Sequence, residues 1–162
     1  MNKHLKHLLL LLTVLNLQAC MSFASLDSLP QDSQEVSFKL GGEGKIGEAR
    51  YSSIKSFSFE PGIAYQYAKA ALTENGFRVM MSDKENLTIL GEHGMTPYDW
   101  NVVAGVYIKN LQNSDSIIRL IVQGSKGRVR VRGDVTGSNW TKDIFESLEQ
   151  YEKIYQKTSK NN

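Results

Sequence analysis

An α+β domain, built from a curled and mainly antiparallel sheet with two helices packed on one face, is the fold class that the sequence predicts. Three observations carry this expectation. Helical spacing of apolar residues occurs twice, after Pro61 and again from about Trp140 to Lys157. Between those stretches lie several short apolar or alternating runs separated by turn residues, and another strand-like stretch precedes the first helix. Runs of strands bracketed by helices favour antiparallel pairing, because a parallel sheet needs a long crossover, usually a helix, between successive strands.

Taken in order, Val36, Phe38 and Leu40 alternate as a half-buried strand would, so the domain is expected to occupy residues 35–158. Within Gly41 to Gly47, residues Gly42, Gly44 and Gly47 have the spacing of a dinucleotide-binding loop. Such a loop must open a helix, yet Ala49 to Phe59 is rich in Ser and aromatic residues that favour a strand, so the glycines are read as a hairpin connection and no cofactor is expected. Pro61 suits a first helical position. Ala64, Tyr67, Ala68, Ala71 and Leu72 form one face of that helix, and Asn75-Gly76 supplies a left-handed stop. The mostly alanine face suits close approach to a sheet. Phe77 to Ser82 and Leu87 to Glu92 read as a hairpin around Asp83-Lys84-Glu85-Asn86. Val102 to Leu111 and Ile117 to Gln123 follow as strands, and a turn at Gly124 to Gly127 leads into the alternating run Arg128 to Arg132. In the closing helix, Trp140, Ile144, Leu148, Tyr151, Ile154 and Tyr155 share one side, with Lys142, Glu146, Glu149 and Lys153 opposite and Ser138 or Asn139 placed to cap it. Residues 159–162 form a polar tail.

The first nineteen residues have a different character. A basic start at Lys3, His4, Lys6 and His7 runs into the apolar block Leu8 to Leu17, the order of an export signal. The block is too short for a permanent membrane span, which takes about 20 apolar residues, and Thr13 and Asn16 interrupt it. It ends in Leu17-Gln18-Ala19-Cys20, which resembles the lipobox of bacterial lipoproteins. That resemblance implies cleavage before Cys20 and acylation of its thiol, and Met21 in place of a retention aspartate implies an outer-membrane destination facing the periplasm. The competing expectation is an ordinary signal peptide cut after Ala24, with Ser22 and Ala24 as the small residues, which releases a soluble periplasmic or secreted protein. A lone cysteine directly after the export block favours lipidation. Residues 20–34, rich in Ser, Asp and Gln, then read as a flexible tether.

The export signal with its cysteine, Ala68 to Leu72 leading into Asn75 to Val79, the Asp83 turn, the strand Ile117 to Val122 and the amphipathic closing helix together resemble small bacterial lipoproteins of unknown function. The likeness covers roughly residues 55 to 155. The order of elements is also similar to the helix-grip domains of a lipoprotein component of the outer-membrane β-barrel assembly machinery, although this chain has a single such unit. Neither resemblance brings catalytic residues with it.

Composition narrows the function further. Loss of Lys3 and Lys6 takes Lys plus Arg from 19 to 17, level with 17 Asp plus Glu, so a nucleic-acid partner is not expected. From Cys20 onward the only histidine is His93, too few ligands for a metal site, and no Gly-x-Ser-x-Gly nucleophile turn occurs. Catalysis and metal binding are therefore not expected. Two binding candidates stand out. In the loop from His93 to Trp100, Tyr98 and Trp100 can clamp a ring while Asp99 fixes polar groups, though aromatics beside a strand more often pack. In the run from Arg128 to Arg132, period-two alternation sets Arg128, Arg130 and Arg132 on one face, able to grip phosphate or carboxylate groups or simply to pair with neighbouring acidic residues. The expected function is a non-catalytic adaptor that is anchored to the membrane by lipid and binds another envelope protein. The alternative is a module for a small anionic ligand or phospholipid.

Overall fold

A computed structural model of the chain describes residues 23–39, 50–95, 101–111, 115–125 and 136–159. Strand β1 spans Arg50–Phe57 and helix α1 Pro61–Glu74; β2 spans Arg78–Asp83, β3 Thr88–His93, β4 Val102–Asn110 and β5 Ser116–Gly124; helix α2 spans Thr136–Ser159. The strands form one open sheet in the order β1-β5-β4-β3-β2, with every neighbour antiparallel. Both helices pack on the same face, so the α+β, helix-grip-like architecture read from the sequence is the fold the chain adopts. The glycine-rich stretch 41–47 and the run from Arg128 to Arg132 lie outside the described residues, as do the export segment and Cys20.

Helix α1 starts at Pro61 and ends in a Schellman motif: the Phe77 N–H donates to the Leu72 carbonyl at 2.9 Å and the Gly76 N–H to the Thr73 carbonyl at 3.0 Å. Gly76 has φ +79°, the left-handed conformation that this cap requires. Ala64, Ala68, Ala71 and Leu72 are all fully buried against the sheet. Tyr65, absent from the expected face, is buried too because its hydroxyl reaches the Ser82 hydroxyl on β2 at 2.6 Å. The β2–β3 hairpin turns on Asp83, whose carboxylate accepts the N–H groups of Glu85 and Asn86 and the Asn86 side-chain amide. Those bonds, the Asn86 backbone bond foremost, hold its pKa below the ordinary carboxylate value.

Helix α2 begins at Thr136, so Ser138 and Asn139 lie inside it and do not cap it. Packing overrides their capping preference: Trp140 meets the Phe77 and His93 rings, with centroids 5.2 and 4.8 Å away, which anchors the first turns. Ile144 and Leu148 are fully buried and Tyr151 and Tyr155 half-buried, as the wheel predicts. Ile154, by contrast, is exposed, and Phe145 is buried in its stead. At 100° per residue Ile154 lies about 120° from Leu148 around the helix, off the buried stripe, whereas Phe145 lies about 60° away and reaches Phe57. Farther along, Tyr67 stacks on Tyr151 at 4.8 Å, which closes the two helices together, and Phe59, in the connection before α1, meets Tyr155 at 6.1 Å.

The central strands β4 and β5 are buried on both faces. Helices cover one face; the chain's own residues 23–38 cover part of the other. Ala24 and Leu29 are buried against Leu90, Val103, Tyr107 and Ile121, and Leu26, Val36 and Phe38 pack beside them. This corrects two expectations. Residues 23–34 of the expected tether are folded onto the sheet, and Val36 and Phe38 belong to that covering segment, not to a strand. The polar residues that suggested disorder serve local turns: the Ser25 hydroxyl accepts the Asp27 N–H at 3.2 Å and the Asp32 carboxylate accepts the Gln34 N–H at 2.8 Å, capping single 3-10 turns at Leu26–Ser28 and Ser33–Glu35. Buried residues spaced as sparsely as Ala24 and Leu29 leave no periodic signal.

Candidate functional site

Asn101 precedes β4 and is 5 % exposed. Its side-chain amide presents the same donor and acceptor as a peptide group, and residue 24 uses both. The Ala24 N–H donates to Asn101 Oδ1 at 2.8 Å, and Asn101 Nδ2 donates to the Ala24 carbonyl at 2.8 Å and to Glu92 Oε1 at 2.9 Å. The covering segment is thereby locked to the sheet end where β3 finishes and β4 starts, since His93 pairs with Val102.

A second lock lies deeper in the same face. Gly105 and Tyr107, two apart on β4, point the same way. A Cβ on Gly105 would stand 2.3 Å from the Tyr107 hydroxyl, so the glycine makes the space in which that side chain lies. The Tyr107 hydroxyl donates to the Pro30 carbonyl at 2.8 Å. Burial, the largest cause, raises its pKa well above the ordinary tyrosine value; the charge of Glu35 adds to this and that of Arg50 opposes it. Arg119, buried on β5, donates to the Lys39 carbonyl at 3.2 Å and holds the far end of the segment.

Between the covering segment and the sheet end an open groove of about 450 Å³ remains, lined by Phe23, Leu26, Asp27, Glu92, Asn101 and Val103 among others. It mixes apolar walls with two carboxylates and can receive an extended or apolar group with polar edges. His93, the one described member of the expected loop site, faces the opposite way. Its ring lies against Phe77 at 5.5 Å and Trp140 at 4.8 Å, and its Nδ1–H donates to the adjacent Gly94 carbonyl at 3.0 Å. The surroundings are those of a packing residue in the helix layer. Tyr98, Asp99 and Trp100, and likewise Arg128, Arg130 and Arg132, lie outside the described residues. The described flanks of both stretches leave the same end of the sheet, because Val102 pairs with Gly124. Among the described residues no group of three or more His, Cys, Asp or Glu is arranged to hold a metal, and no helix is long and apolar enough to cross a membrane.

Sequence reasoning missed Ala24, Asn101 and the Gly105–Tyr107 pair. Only the last left a signal, a glycine and a tyrosine at strand spacing in an otherwise aliphatic run.

No protein-family model matches the chain, and neither does any curated protein. Among solved structures, it is similar to an uncharacterised protein from Bacillus thuringiensis, with a TM-score of 0.50 and 9 % identity over 67 % of this chain and 99 % of that one. Another is Ara h 8.0201, with a TM-score of 0.44 and 9 % identity over 63 % of this chain and 95 % of that one. At such identity the likeness concerns the fold alone.

Proposed function

We propose that the chain is a non-catalytic protein of the bacterial envelope, exported by residues 1–19, anchored through an acylated Cys20 in the outer membrane facing the periplasm, and acting as an adaptor for another envelope protein. The observation that carries the anchoring is the place of Ala24. Cleavage after Ala24 takes away the N–H that bonds to the buried Asn101 Oδ1 and leaves Nδ2 with Glu92 alone, and a buried polar group left unpaired costs about 1–3 kcal/mol. Cleavage before Cys20 leaves this lock intact. Retention of this pairing supports the lipoprotein cut over the alternative.

The adaptor role draws support from the character of the sheet face away from the helices. Leu90, Val103, Tyr107 and Ile121 are buried there beneath residues 23–38, and what stays open is the groove at the sheet end, whose walls include the exposed Phe23 beside Leu26. Apolar surface rimmed by polar groups suits a protein partner better than a small anion. A photoreactive residue at Leu26, compared with one at the exposed Lys69 on α1, tests this in intact cells. The expected outcome is a discrete crosslinked species from position 26 and none from position 69; identical patterns from both contradict the proposal.

A further inference from the structure

We infer that the end of the sheet carrying Ala24 rests directly on the phospholipid bilayer, with Phe23 in the interfacial layer; the inference rests on the acylation of Cys20 proposed above. Only four residue steps separate Cys20 from Ala24. At 3.3–3.6 Å per residue a fully extended chain spans at most about 14 Å over that distance. The leash cannot lengthen while Ala24 is held, because its N–H and its carbonyl are both bonded to Asn101 at 2.8 Å and the residue is 6 % exposed. A tether of fifteen residues lets a domain float free of the surface; four residues do not.

The surface at that end fits the role. Phe23, next to the lock, is 69 % exposed, and so is Met95, which lies two residues beyond the end of β3 at the same end of the sheet. Apolar side chains such as Trp, Phe and Leu on membrane-surface segments bury into the boundary between headgroups and acyl chains. The turn at Lys84–Leu87 lies at the opposite end, as do Asn110 and Ser116, because Thr88 pairs with Tyr107 and Asn110 with Ser116. That end therefore points away from the bilayer and into the periplasm.

The test uses the chain from Cys20 onward, coupled through that single thiol to a maleimide lipid in a supported phosphatidylcholine bilayer and measured by neutron reflectometry. Natural spacing is expected to give protein density in contact with the headgroups. Twelve Gly/Ser residues inserted after Met21, ahead of the described residues, are expected to open a hydrated layer of about 20 Å. In the same bilayers a Phe23→Trp variant is expected to lose about half of its added emission to headgroup-proximal brominated lipid, and the insertion to abolish that quenching. Equal density profiles with and without the insertion, or no quenching at position 23, overturn the inference. Chemical coupling supplies the anchor whatever the cell does, so failure here is distinct from failure of acylation, which labelled fatty acid reports separately.

Discussion

Tyr107 and Gly105 show how much a single pair of residues contributes to this face. Because a Cβ at position 105 would meet the Tyr107 hydroxyl at 2.3 Å, Gly105→Ala is expected to destabilise the protein by about 1–3 kcal/mol. In a Tyr107→Val background the same change is expected to cost much less, and a double-mutant cycle of denaturant midpoints measures that coupling. Alkaline pH probes the same tyrosine. Its folded pKa stands above the unfolded value of about 10, so the stability conferred by the neutral phenol is fully present below pH 10 and lost as pH rises beyond it. Tyr151 behaves likewise: its hydroxyl bonds to the Glu74 carboxylate, which pushes its pKa up to about 12. Melting temperatures are therefore expected to fall between pH 10 and 12, with a shallower fall in Tyr107→Phe and Tyr151→Phe; a slope unchanged in both variants contradicts these assignments. Little of this was legible beforehand. Period two puts Gly105 and Tyr107 on one face, but the partner that the tyrosine reaches, the Pro30 carbonyl, is 77 positions away and belongs to a stretch without pattern.

The elements that reveal themselves in sequence are those whose burial is periodic. Helix α1 is legible because its stop signal is local and its alanines recur at helical spacing, and the β2–β3 hairpin because Asp83 and Asn86 supply their own turn bonds. Ala68→Leu or Ala71→Leu is expected to overpack the helix–sheet contact at about 1–3 kcal/mol, since both positions are fully buried. Unaltered melting of both variants would contradict the close approach of α1. Helix α2 is longer than its pattern suggests because aromatic contacts at Trp140 extend it where polar residues favour a cap. The covering segment marks the opposite limit: two buried residues, Ala24 and Leu29, carry its packing, and everything between them looks like linker. Leu29→Ala is accordingly expected to cost about 2–3 kcal/mol in chemical unfolding. No change in midpoint would restore the tether that composition predicts.

On the scale of the whole molecule, the chain divides its sheet between two uses. One face holds the helices and the aromatic clasp of Tyr67 with Tyr151; the other holds the segment that leads back toward Cys20. Fold class is readable from the order of elements, whereas the attachment of the N-terminal segment depends on a pairing between Ala24 and Asn101 that no local rule announces. That pairing ties the proposed export processing to the fold, and so the N-terminus of the mature protein is the most direct measurement. Mass spectrometry of the N-terminal peptide from isolated membranes is expected to find a chain beginning at an acylated Cys20, with the modification and the membrane association both lost in Cys20→Ser. A mature protein beginning at an unmodified Ser25 would contradict the lipid anchor and the role built on it.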